Sequence, residues 1–150
     1  MSYRYLNNIA LADAAYEAVG DTVPEMFKAA GDALLSIMVS DVESVRPQTE
    51  RSFELSSDKQ ETDALEDLLY QFLEKLLYYK DADGLLLRPE DVQFDSSWKS
   101  LSAIVRGQKI EDFKNEQEGA LGADAKAITH HRFEVSKADG GWKALVVVDV

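Results

Sequence analysis

Between Leu65 and Leu77 the chain places Leu65, Leu68, Leu69, Phe72, Leu73, Leu76 and Leu77 at spacings of three and four. Such spacing gathers side chains into one stripe on an α-helix, and a stripe this broad has to be buried against another layer. Glu61, Asp63, Glu66, Asp67 and Glu74 take the other face and favour the N-terminal half, where the helix dipole is positive. Asp83-Gly84 ends this helix or opens the turn beyond it. An earlier helix announces its start. Thr22-Val23-Pro24-Glu25 fits a capping box with proline tolerated in the first turn, and Val23, Met26, Phe27, Ala30, Leu34, Ile37 and Met38 then recur at helical spacing.

Elsewhere the period drops to two, which predicts strands. Ala14 to Val19 reads as a strand ending at Gly20, and Arg51-Phe53-Leu55 alternates with Ser52 and Glu54. Val92 and Phe94 alternate with Gln93 and Asp95, and Leu101, Ala103 and Val105 precede a turn expected at Arg106-Gly107. Asn115 to Ala123, with Gly119 and Gly122, reads as a mobile loop. A long strand is expected from Lys126 to Val135, with Ala127, Thr129, His131, Phe133 and Val135 on one face. Asp139-Gly140-Gly141 then turns the chain, and Trp142 to Val150 returns as the antiparallel partner. Short hairpins dominate the second half, so a doubly wound α/β arrangement is excluded. The expectation is a single α+β domain over residues 1–150, two helices packed on a largely antiparallel sheet.

Charge narrows the function. The formal net charge is −12, and a surface of that sign repels phosphate, so direct tight nucleic-acid binding is not expected. Solubility alone accounts for much acidic composition; the sharper readings are a basic protein partner or a hard metal cation. The chain has no cysteine, which excludes a disulfide framework and a thiolate zinc site. No apolar run approaches the ~20 residues of a membrane span. MSYRYLNN lacks the apolar region of a signal peptide, so a cytoplasmic location is expected.

No nucleophile elbow, phosphate-binding loop, dinucleotide fingerprint or HExxH run is present. His130 and His131 would point to opposite faces of their strand and could not share a ligand. Asp81-Ala82-Asp83-Gly84 opens like a calcium loop but lacks the rest of the pattern, so it reads as a helix-ending turn. The carboxylates remain. Asp13 sits in the apolar run IALADAAY, where a lone Asp is most often a turn residue or a cap. The last strand carries Asp149 and then Val150 with its free carboxylate. Brought together, these three anionic groups would require a cation. Oxygen-only donors select calcium, magnesium or manganese over zinc.

The whole chain resembles the archease family. The resemblance rests on the YRYL start, the stretch Asp13 to Thr22, the helix LEDLLYQFLEKLLY, the DADGLLL turn, the run Lys126 to His131, and the terminal Asp-Val. It implies a small acidic α+β protein that is itself no enzyme and serves the RNA ligase RtcB as a cofactor protein. RtcB seals 2′,3′-cyclic phosphate or 3′-phosphate ends to 5′-hydroxyl ends in tRNA splicing and RNA repair. The archease promotes the ligase's guanylylation and multiple turnover. The resemblance also implies a divalent ion, calcium in the family with manganese or magnesium as alternatives, held by Asp13, Asp149 and Val150. It marks Lys126 as a functional lysine able to contact phosphate or a ligase carboxylate; the plainer reading is an exposed strand lysine. Ala10-Leu11-Ala12-Asp13 stands where the family usually reads His-Thr-Ala-Asp, after an apparent two-residue insertion at Asn7-Asn8. A second family histidine falls near Lys114 or Asn115. The rival readings are a small metal-dependent enzyme acting on phosphorylated or nucleotide substrates, and a general acidic chaperone. A homo-oligomer is left open.

Overall fold

The computed structural model describes residues 1–6 and 13–150; the Asn7-Asn8 insertion and the Ala10-Leu11-Ala12 stretch lie outside the described residues. Its first helix, α1 (Val23–Met38), starts as its capping box requires. The Thr22 hydroxyl accepts the Glu25 amide at 3.3 Å, and the Glu25 carboxylate reaches back to the Asp21 amide at 3.0 Å. The second, α2 (Glu61–Asp83), stops at Gly84, whose φ of 65° is the left-handed conformation glycine adopts without a Cβ penalty. Asp81 to Gly84 is therefore a helix end.

Around these helices lie two antiparallel sheets. One pairs β1 (Ser2–Leu6), β2 (Asp13–Gly20) and β8 (Gly141–Asp149) in that order, with β6 (Ala127–Ile128) and β7 (Glu134–Ala138) both on the far edge of β8. The other has the order β3 (Thr49–Ser56), β5 (Ser100–Lys109), β4 (Leu85–Phe94). A 3-10 turn, Val42–Ser44, and a short third helix, α3 (Ile110–Glu116), complete the described elements. The class is α+β as expected, with its antiparallel strands divided between two sheets.

Both long helices touch both sheets, and the apolar residues of all four surfaces form one core. Phe27 of α1 meets Phe72 of α2 at 5.6 Å and Phe94 of β4 at 5.1 Å between ring centroids, linking helix, helix and sheet. Arg88 of β4 donates two hydrogen bonds, 3.1 and 3.0 Å, to the buried Asp32 carboxylate of α1, so the charge inside this layer is paired.

Three expectations are corrected. Gly107 is not in a turn: β5 runs through it, opposite Thr49 and Leu87. A Cβ there would collide with the Leu86 carbonyl, so the glycine serves close approach of two strands. Asn115 and Glu116 are helical, and the loop after them is tied to the end of α1 by two backbone hydrogen bonds. Ser40 donates to the Ala120 carbonyl at 2.9 Å, and Gly122 to that of Met38 at 2.8 Å.

The third correction is the long strand from Lys126 to Val135. Ile128 pairs with Val148, so an unbroken ladder would set His131 against Leu145; Glu134 stands there instead. The surplus residues loop out as a turn in which Phe133 donates to His130 at 3.2 Å and Arg132 has φ 58°. His130 and His131 are thus turn residues, and His130 stacks on Tyr70 of α2 with centroids 4.1 Å apart and rings 12° from parallel. The expected hairpin after it is present. Ala138 faces Gly141 across a two-residue turn, Asp139-Gly140, with both φ values positive.

Candidate functional site

The pairing of β2 with β8 puts Asp13 directly opposite Asp149. Residues opposed in an antiparallel pair project from the same face, and two like charges so placed repel. The face follows from the alternation along β2. Tyr16 and Ala18 turn to the core, where the Tyr16 hydroxyl donates to the Ala30 carbonyl at 2.9 Å. Asp13, Ala15, Glu17 and Val19 have the opposite parity and share the outer face with Asp149, Val147, Leu145 and Lys143.

Asp149 is exposed and Asp13 half-buried. Val150 packs its half-buried side chain against the core, which fixes the position of its main chain. On the other edge of β8, Ala127 faces Asp149, and the Lys126 amide donates to the Asp149 carbonyl at 2.8 Å. Lys126 is exposed, one residue ahead of β6. Asp13, Asp149, Val150 and Lys126 are therefore gathered at one end of the five-stranded sheet, although residues 13 and 149 lie at opposite ends of the sequence.

The chemistry of this end fits a hard cation. Among the described residues no group of three or more His, Cys, Asp or Glu side chains is placed to hold a metal ion; at this end the acidic side chains are the opposed pair Asp13 and Asp149, and a cation there would need further oxygen donors. One row further in, Thr129 donates its amide to Val147 at 3.0 Å, and its parity puts its side chain on the Asp149 face. The Thr129 hydroxyl oxygen is buried without a hydrogen-bond partner among the described residues. Oxygen donors of this kind suit calcium, magnesium or manganese.

The segment bearing Lys126 is fixed by groups to which helical periodicity assigns no task. Lys80, at the end of α2, is buried, and its ammonium donates to the Asp124 carboxylate at 2.6 Å and to the Ala125 carbonyl at 2.5 Å. Asp81 stands 3.0 Å from the same nitrogen. Burial alone would lower the Lys80 pKa; the hydrogen bonds to Asp124 and Asp81 outweigh it and leave the pKa raised. Tyr70 donates to the Ile128 carbonyl at 3.0 Å, and Glu66 accepts the Val135 amide at 2.9 Å. The available signal was a lysine at the helical position of Leu73 and Leu77, inside an otherwise apolar stripe.

A domain of two antiparallel sheets and intervening helices, with opposed carboxylates on its central strands, defines a small α+β protein built to present one acidic sheet end. The archease protein family model matches residues 3–150, and the chain belongs to that family. It is 33% identical to the protein archease of Methanosarcina mazei, covering 99% of this chain and 95% of that one. With the protein archease of Pyrococcus abyssi the identity is 34%, over 93% of each. The solution structure of Methanobacterium thermoautotrophicum protein 1598 matches with a TM-score of 0.76 and 27% identity, over 99% of this chain and 98% of that one. The crystal structure of an archease from Thermotoga maritima, described as a possible chaperone, has the same fold, with a TM-score of 0.62, 19% identity and 97% coverage of both chains.

Proposed function

We propose that this protein activates the RNA ligase RtcB, promoting its guanylylation and multiple turnover in tRNA splicing and RNA repair, and that it does so as a protein cofactor rather than an enzyme. Family membership supports the class. The observation that carries the reading is the register of β2 on β8, which sets Asp13 against Asp149 beside the backbone anchor of Lys126. Asp13, Asp149 and the Val150 carboxylate would hold a divalent cation, calcium by preference, whose charge relieves the repulsion of the opposed pair. A bound cation supplies positive charge and coordination sites to this end of the sheet. Lys126 would present its ammonium to a phosphate or carboxylate in the ligase.

The net charge of −12 suits a basic protein surface and opposes free RNA. Among the described residues no helix is long and apolar enough to cross a membrane, and a cytoplasmic setting beside the ligase is part of the proposal. The test adds substoichiometric protein to RtcB with GTP and manganese. Guanylylation and turnover should rise; an unchanged rate with and without the protein contradicts the reading.

A further inference from the structure

Three polar side chains on one face of α2 grip the backbone of residues 125–135. Glu66, Tyr70 and Lys80 fall within about 80° of one another around a helix of 3.6 residues per turn. Each takes a main-chain group: Glu66 the Val135 amide, Tyr70 the Ile128 carbonyl, Lys80 the Ala125 carbonyl. A buried amide or carbonyl needs a partner, and between the short strands β6 and β7 the sheet supplies few. The helix thus stands in for the missing ladder.

Lys80 differs from the other two in what lies next to its grip. Its ammonium holds both Asp124 and Ala125, and the very next residue is Lys126, whose amide enters the sheet at Asp149. We infer that Lys80 is a positioning residue for Lys126: the clamp fixes where the 124–126 backbone meets β8, and so where the Lys126 ammonium stands relative to the Asp13–Asp149 end. Asp124 is largely exposed, so water would satisfy it without the clamp; the buried Ala125 has no such exchange, and removing Lys80 leaves its carbonyl without this donor. Asp81 lies on α2 itself, beside the same nitrogen, and ties nothing to the sheet. The functional half of this inference rests on Lys126 being a ligase contact.

Hydrogen exchange measured residue by residue, together with RtcB activation, tests it on the full chain. In Lys80→Met, which removes the charge-assisted hydrogen bonds to Asp124 and Ala125, the Lys126 and Thr129 amides should exchange at least about tenfold faster, while α1 amides keep their protection. The protein concentration giving half-maximal activation should rise severalfold. Asp124→Asn, at an exposed carboxylate, should give a smaller change of the same kind and serves if Lys80→Met does not fold. Asp81→Asn should change neither. Unaltered Lys126 exchange in both clamp variants overturns the positioning role, and so does a loss of protection spread evenly over α1 and β8, which is general destabilisation. Lys126→Ala separates the underlying reading. Full activation by that variant means there is no functional lysine to position, whatever the exchange data give.

Discussion

Asp13 and Glu17 lie four residues apart on the same strand and face of the same sheet, yet their surroundings are opposite. Glu17 is neutralised from both neighbouring strands: Arg4 of β1 donates to it at 2.6 Å, and Lys143 of β8 approaches to 3.4 Å. The Arg4 hydrogen bond, opposed by a desolvation contribution and aided by both cations, holds its pKa below the ordinary glutamate value. Asp13 faces another carboxylate across the ladder. Its neighbours among the described ion pairs provide no cation. Among the described residues the sheet completes its own electrostatics at Glu17 and supplies no cation at Asp13, and an opposed pair of carboxylates is where an external cation gains most. Glu17 is satisfied within the fold, and Asp13 is the carboxylate to which the proposed function gives a task.

This contrast can be broken in graded steps. The largest effect should come from Lys126→Ala. Activation of RtcB should fall at least about tenfold while stability stays within ~0.5 kcal/mol, as for an exposed residue outside any packing contact. Parallel activation assays and thermal melts check it; a fully active variant would return Lys126 to the ordinary surface.

Next comes Asp149→Asn, which should lower calcium affinity about tenfold by calorimetry because the site loses a formal negative ligand. Unchanged affinity would exclude Asp149 as a donor. Glu17→Gln should act in the other sense, lowering stability by about 0.5–1 kcal/mol, with calcium affinity kept. Denaturant melts distinguish the two.

The smallest effect is in acid. A carboxylate whose folded pKa is depressed contributes stability that is fully present above its unfolded pKa and fades as pH falls through the folded value. The parent should thus lose this contribution below the ordinary glutamate range, and Glu17→Gln should show a flatter dependence there. Identical acid limbs would remove Glu17 from the account.

How much of this could be read from the sequence follows from how local each determinant is. The helices were legible because a capping box, a leucine stripe and an αL glycine act within a few residues. The alternation in β3 and the hairpin into β8 were legible for the same reason. The segment from Lys126 to Val135 kept the alternation of a strand and still broke, because Tyr70 and Glu66, about sixty residues earlier, compete for its backbone. No period within the segment carries that information. The function of Gly107 depends likewise on a strand it meets only in the folded state.

At the site, Asp13, Asp149, Val150 and Lys126 were named from donor chemistry and resemblance, and the register brings Asp13 to Asp149 and Lys126 to the same strand end. Lys80 escaped because a lysine ending a helix ordinarily answers the dipole. Its burial depends on where residues 124 and 125 come to rest.

The central claim is that the sheet leaves Asp13 and Asp149 for an added cation while it satisfies Glu17 internally. The most direct test is the calcium-induced shift in melting temperature of four proteins: the parent, Asp13→Asn, Asp149→Asn and Glu17→Gln. A ligand bound by the folded state alone raises the melting temperature by an amount that grows with the logarithm of its concentration relative to Kd. Calcium should raise it by the same amount in the parent and in Glu17→Gln, and by clearly less in both aspartate variants. Equal shifts in all four, or none in the parent, would contradict the claim.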